Sequence, residues 1–133
     1  MTELRAVHVA GAHRSGSPLV PAVIDGTTVH VSGCVPVDPA TGILVDGDIG
    51  AQTRQVLANL EQVLLAAGSR LDRVIKTSVF LTAQADFAPM NEVYREVFGN
   101  WLPARTTVVV AALARPGFRV EIEAVARTEA DQP

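Results

Sequence analysis

Arg105 stands at the mouth of an apolar, β-branched run, Pro103-Ala104-Arg105-Thr106-Thr107-Val108-Val109-Val110. Pro103 fixes its own φ and pushes Leu102 towards extended backbone, so a helix arriving from the N-terminal side must end before it. The β-branched residues that follow favour a strand. Strand alternation places Arg105, Thr107 and Val109 on one face and Thr106, Val108 and Val110 on the other. No acidic residue lies near Arg105 in the sequence to answer its charge. It forms a salt bridge within the fold or lies at a solvent-exposed strand end, or it receives a carboxylate, for which a guanidinium offers a bidentate fork.

Two carboxylates, Glu121 and Glu123, share one face of a terminal strand. They form a water-facing charged edge, or one of them carries a proton if that face meets Arg105 across a cleft. Ser32 and Asn91 are polar residues set among apolar ones, the usual places for local hydrogen bonds. Cys34 and His30 fall on one strand face by alternation, but too far apart in a straight strand for direct contact. His8, His13 and His30 have no acidic or cysteine partners at ligand spacing, which argues against a metal site. The chain lacks a P-loop, a GxGxxG turn and a nucleophile elbow.

The elements that must hold these residues can be read in order. Leu4 to Ala10 alternates weakly and predicts a short first strand, and Gly11 to Pro18 predicts a loop. Leu19 to Ile24 is extended but confined to an edge or bulge by Pro21. Asp25-Gly26 turns the chain into a strand from Thr28 to Cys34, in which Val29 and Val31 face one side and Thr28, His30, Ser32 and Cys34 the other. Gly33 marks a bulge or the close approach of another backbone. Val35 to Gly50, punctuated by Pro36, Pro39, Asp38, Gly42, Asp46 and Gly47, predicts an ordered loop.

Asp48 is placed to cap a helix that runs to about Ala67 and stops at Gly68. Its apolar stripe is Ile49, Val56, Leu57, Leu60, Val63, Leu64 and Ala67, with Gln52, Arg54, Gln55, Asn59, Glu61 and Gln62 on the polar side. A strand follows over Val74 to Thr82. Asp86 then caps a second helix with Phe87, Met90, Tyr94, Val97 and Phe98 on its apolar face and Gly99 at its end. Strands over Arg105 to Leu113 and Phe118 to Arg127 close the fold around a turn at 114–117, leaving a loose tail from Thr128 to Pro133. In the last strand Val120, Ile122, Ala124 and Ala126 oppose Arg119, Glu121, Glu123 and Val125. The order β-β-β-α-β-α-β-β predicts one α+β domain over residues 1–133, with two helices on one face of a mixed sheet. Residues such as Val109 and Val125 leave the other face partly apolar, and oligomerisation is the natural cover for it.

Composition narrows the function classes. Apolar residues make up 48% and charged residues 19% of the 133, which is a globular balance. The net charge is −3, the arginines are scattered and Lys76 is the one lysine, so nucleic acid is a poor partner. A single cysteine forms no internal disulfide and suits a reducing compartment. Met1 to Ala12 lacks the cationic start and apolar centre of a signal peptide, and no apolar run approaches a membrane span, so a cytoplasmic protein without membrane contact is expected.

The runs Val31-Ser32-Gly33, Pro36-Val37-Asp38-Pro39-Ala40-Thr41-Gly42, Asp48-Ile49-Gly50-Ala51-Gln52-Thr53-Arg54-Gln55, Val74 to Leu81, Asn91-Glu92-Val93-Tyr94, Pro103-Ala104-Arg105 and Val120 to Ala124 together resemble the RidA (YjgF) family. The resemblance covers nearly everything from Pro18 to Arg127. It implies a chorismate-mutase-like α+β fold assembled as a homotrimer, with ligand clefts between subunits. It further implies an enamine/imine deaminase that converts reactive 2-imino acids, such as those from 2-aminoacrylate, to 2-keto acids and ammonia without a cofactor. By the same resemblance Arg105 grips the substrate carboxylate and Glu121 works with a water on the imine. Ser32, Gly33, Asn91, Leu19, Thr107 and Cys34 match positions around the cleft. Three of these depart from the family pattern: Leu19 replaces an aromatic residue, Cys34 a glutamine and Thr107 a cysteine or serine. A trimeric small-metabolite-binding or stress-protective protein that uses the cleft without turnover is the other function class compatible with these residues.

Overall fold

The computed structural model describes residues 3–13 and 16–129. Six strands form a single mixed sheet: β1 (Leu4–Val7), β2 (Ala22–Asp25), β3 (Thr28–Cys34), β4 (Val74–Leu81), β5 (Ala104–Val109) and β6 (Val120–Arg127), with helices α1 (Ile49–Ala66) and α2 (Phe87–Phe98). The order across the sheet is β1-β2-β3-β6-β4-β5. All neighbours are antiparallel except β4 and β5, which run parallel because α2 carries the chain back between them. The expected order of strands and helices is the observed one. Single 3₁₀ turns at Leu71–Arg73 and Gln84–Asp86 are added to it.

The core lies between the two helices and one face of the sheet. Leu57, Leu60 and Leu64 of α1 are fully buried with Val29 of β3, Val79 and Leu81 of β4, and Val120 and Ile122 of β6. Asp48 caps α1 as its sequence predicts, accepting the Ala51 N–H at 2.8 Å, and Gly68 takes the left-handed φ of +77° beyond its end.

Several side chains expected in water are instead tied into the fold. Gln52 is 3% exposed, donating to the Gly117 carbonyl and accepting the Arg119 N–H, both at 2.9 Å. Asn59 donates to the carbonyls of Val35 and Val37, which fixes the long loop against α1. Asp86 makes no capping bond to α2; its buried carboxylate pairs with Arg119 at 2.8 Å.

Strand ends differ from the sequence reading as well. β5 stops at Val109, and residues 110–113, expected to extend it, are irregular. Val109 registers with buried Leu81 and so lies on the helix side, whereas Val108, beside Phe80, contributes to the uncovered face. Thr128 is buried and donates its N–H to Thr27, and Glu129 pairs with Arg70, so the chain is held to that point. Residues 130–133 of the expected loose tail lie outside the described residues, as do 14 and 15 of the expected loop. Among the described residues no helix is long and apolar enough to cross a membrane.

Candidate active site

Arg105 sits on β5, the edge strand, directly beside Thr77 of β4. Thr77 is fully buried under α2, so Arg105 also points to the helix side. Its guanidinium carbon lies 4.8 Å from the ring centre of Tyr94 and 5.8 Å from that of Phe87. Among the described residues no carboxylate pairs with it. Asn91, four residues after Phe87 and three before Tyr94, occupies the same face of α2. Its Oδ1 is buried without a hydrogen-bond partner, as is Oγ1 of Thr107, two residues along β5 from Arg105. Native interiors leave few such atoms. Two of them near an unanswered guanidinium mark this edge as built for something other than packing.

The second group lies on the other face of the sheet. Glu121 registers with Phe80 on the side away from the helices. Its carboxylate lies over Gly33: a Cβ built on that glycine would fall 2.0 Å from Glu121 Oε2 and 2.8 Å from Cδ. The sequence marks Gly33 for a close approach, and what approaches is this side chain rather than another backbone. Burial first, and the negative charge of Glu123 second, push the Glu121 carboxyl above its ordinary range. Next to Gly33, Ser32 donates its hydroxyl to the Val20 carbonyl at 2.6 Å and its N–H to the Pro21 carbonyl. Those bonds hold the segment leading into β2, where Leu19 is 60% exposed.

Cys34 does not share the face of His30 and Ser32. The register between β3 and β6 shifts between Val31 and Cys34, spending three steps on β3 against two on β6. This bulge turns Cys34 onto the core side, opposite Ile122, where it is 8% exposed. Burial, helped by the nearby charge of Glu121, pushes its thiol up to about 12. Such a thiol is a packing group rather than a nucleophile.

The structure therefore gathers the sequence candidates into two half-sites. Arg105, Asn91 and Thr107 stand on the helix side of the sheet edge, and Ser32, Gly33 and Glu121 on the uncovered face, with exposed Leu19 in the segment that Ser32 ties down. Arg105 and Glu121 do not meet within one chain. Phe87 and Tyr94, the partners of Arg105, were legible only as core positions of an apolar helix face. Their spacing with Asn91 was the available signal.

The chain matches the family described as Endoribonuclease L-PSP over residues 11–128. It is 39% identical over 122 residues to human 2-iminobutanoate/2-iminopropanoate deaminase, spanning 92% of this chain and 88% of that protein. The structure of the YjgF gene product of E. coli superposes with a TM-score of 0.85 at 35% identity, covering 92% of this chain and 98% of that one. That of E. coli TdcF with bound serine gives 0.85 at 36% identity, with the same coverage. With family motifs, fold and sequence identity in agreement across nine-tenths of its length, the chain belongs to the RidA/YjgF/L-PSP family.

Proposed function

We propose that this protein is an imine deaminase that hydrolyses 2-imino acids to 2-keto acids and ammonia. It would work as a homotrimer in which Arg105 of one subunit faces Glu121 of the partner subunit. The observation that carries the reading is the pair of half-sites on opposite faces of one sheet. Each is chemically incomplete, and a cyclic assembly that lays the uncovered face of one copy along the edge of the next completes both. Cover for exposed Val108 and for Val23, Phe80 and Val125, which are only partly buried, follows from the same contact.

In such a cleft Arg105 receives the substrate carboxylate through parallel N–H donors. The imine carbon is already electrophilic, so positioning and proton transfer suffice. Glu121, whose raised pKa makes it a stronger base than an ordinary glutamate, takes a proton as water adds to the carbon. With the imine nitrogen protonated, this addition gives a neutral carbinolamine. Glu121 returns its proton to the nitrogen, the C–N bond breaks to release ammonia, and the hydroxyl proton passes to Glu121 as the carbonyl forms and from there to the departing ammonia. Water is the one co-reactant, and no electrons change hands.

The similarity to the human deaminase supports this activity, and the serine in the TdcF structure supports a small carboxylate-bearing ligand. A binding protein without turnover is the second reading, favoured by the departure at Leu19. The deciding experiment measures keto-acid release from freshly generated 2-imino acids of several side-chain sizes. Turnover that Arg105→Ala abolishes, in a folded protein, establishes the deaminase. Turnover no greater than that control on every imine moves the assignment to metabolite binding.

A further inference from the structure

We propose that Tyr94 and Phe87 form an aromatic bracket that fixes the guanidinium of Arg105, with Thr77 anchoring the bracket to the sheet; all three are positioning residues. The proposal rests on the reading of Arg105 as the carboxylate grip and assigns the device that shapes it. The guanidinium carbon lies over both rings, at 4.8 Å from Tyr94 and 5.8 Å from Phe87, within cation–π range. A guanidinium resting on a ring by its flat face would keep its in-plane N–H donors free for a carboxylate.

The bracket is rigid at its inner end. Tyr94 is buried, its hydroxyl shares a 2.7 Å hydrogen bond with Oγ1 of fully buried Thr77, and its ring packs on Phe98 at 4.6 Å. Thr77 is also the residue opposite Arg105 in the β4–β5 register. One cross-strand pair therefore supplies the arginine and the anchor of the ring beneath it. Phe87, by contrast, is 44% exposed and contributes little to the core, so its contact with Arg105 is the more telling one. A long, flexible side chain on an exposed edge strand would otherwise lose rotamer freedom on each binding event. Holding it beforehand tightens binding by removing that cost.

The test is calorimetric binding of 2-oxobutanoate, a stable carboxylate, together with steady-state kinetics. Phe87→Leu should weaken binding roughly three- to tenfold and raise KM with kcat nearly unchanged. Tyr94→Leu should do the same, and Tyr94→Phe, which keeps the ring but loses the hydroxyl bond to Thr77, should fall between Tyr94→Leu and wild type. In an Arg105→Ala background Phe87→Leu should change nothing further. Wild-type affinity in Phe87→Leu and Tyr94→Leu, or an equal loss with Arg105 absent, overturns the bracket while leaving the grip in place. A wild-type protein that does not bind 2-oxobutanoate overturns the grip itself, and the bracket with it.

Discussion

Gly33→Ala is the most discriminating single change this structure offers. Gly33 does not occupy a left-handed conformation, so its backbone accepts alanine. The obstacle is the Glu121 carboxylate, whose Oε2 would lie 2.0 Å from the new methyl, where Cβ contacts under 3.0 Å essentially never occur. The carboxylate must therefore move by about 1 Å or more, a scale of misplacement that can cost on the order of 10²-fold in rate. The expected result is a fall in kcat/KM of about 10²-fold, or roughly 2.7 kcal/mol of transition-state stabilisation. Because the clash is with the far end of a flexible side chain, folding should barely suffer. Replacing glycine restricts the unfolded chain and offsets strain by about 0.4–1 kcal/mol. The assay pairs keto-acid release with thermal unfolding, and a Gly33→Ala/Glu121→Gln double variant completes the cycle. The double variant should be no slower than Glu121→Gln alone. Full turnover in Gly33→Ala would show that the seat of Glu121 over Gly33 plays no part in the chemistry.

Glu121→Gln should slow turnover by about 10²–10⁴-fold with ligand binding retained, and equal rates would assign the proton transfer elsewhere. The raised Glu121 pKa means that the folded state holds this proton more tightly than the unfolded chain does. Its contribution is therefore present at low pH and lost as pH rises through the folded value, so Glu121→Gln should raise Tm at pH 7 and lose that advantage near pH 4. Cys34, its thiol pushed up to about 12 by burial, holds very little thiolate at pH 8. It should resist iodoacetamide until urea unfolds the protein, and rapid alkylation of the native form would contradict its core placement. Light scattering should give about three times 14.1 kDa. A monomer would remove the inter-subunit cleft.

What the sequence makes legible is whatever follows one period. The stripe from Ile49 to Ala67, the caps at Asp48 and Gly68, and the alternation of β6 all predict positions the structure contains. Errors cluster where a local irregularity breaks the period or where a distant partner claims a polar side chain. The bulge at Ser32-Gly33 was visible as a glycine in a strand, but its effect, turning Cys34 inward, depends on a register with β6 that sequence alone does not supply. Gln52, Asn59 and Asp86 look like solvent or capping residues because their partners, Gly117 and Arg119, Val35 and Val37, and Arg119 again, are 22 to 67 positions away. The site shows the same limit. Arg105 and Glu121 are each recognisable by type, yet that they stand on opposite faces is set by strand register, which puts Arg105 beside buried Thr77 and Glu121 beside Phe80, and not by spacing.

That separation makes the sheet a partition, with one reagent on either side. In the proposed assembly a subunit lacking Arg105 and a subunit lacking Glu121 are each inactive alone, yet each still carries the half that the other has lost. Mixed, dissociated and reassembled, they would rebuild intact clefts at about a quarter of the interfaces of a random trimer. Two dead proteins would then yield a living one, and diluting the wild type until its subunits separate would silence it.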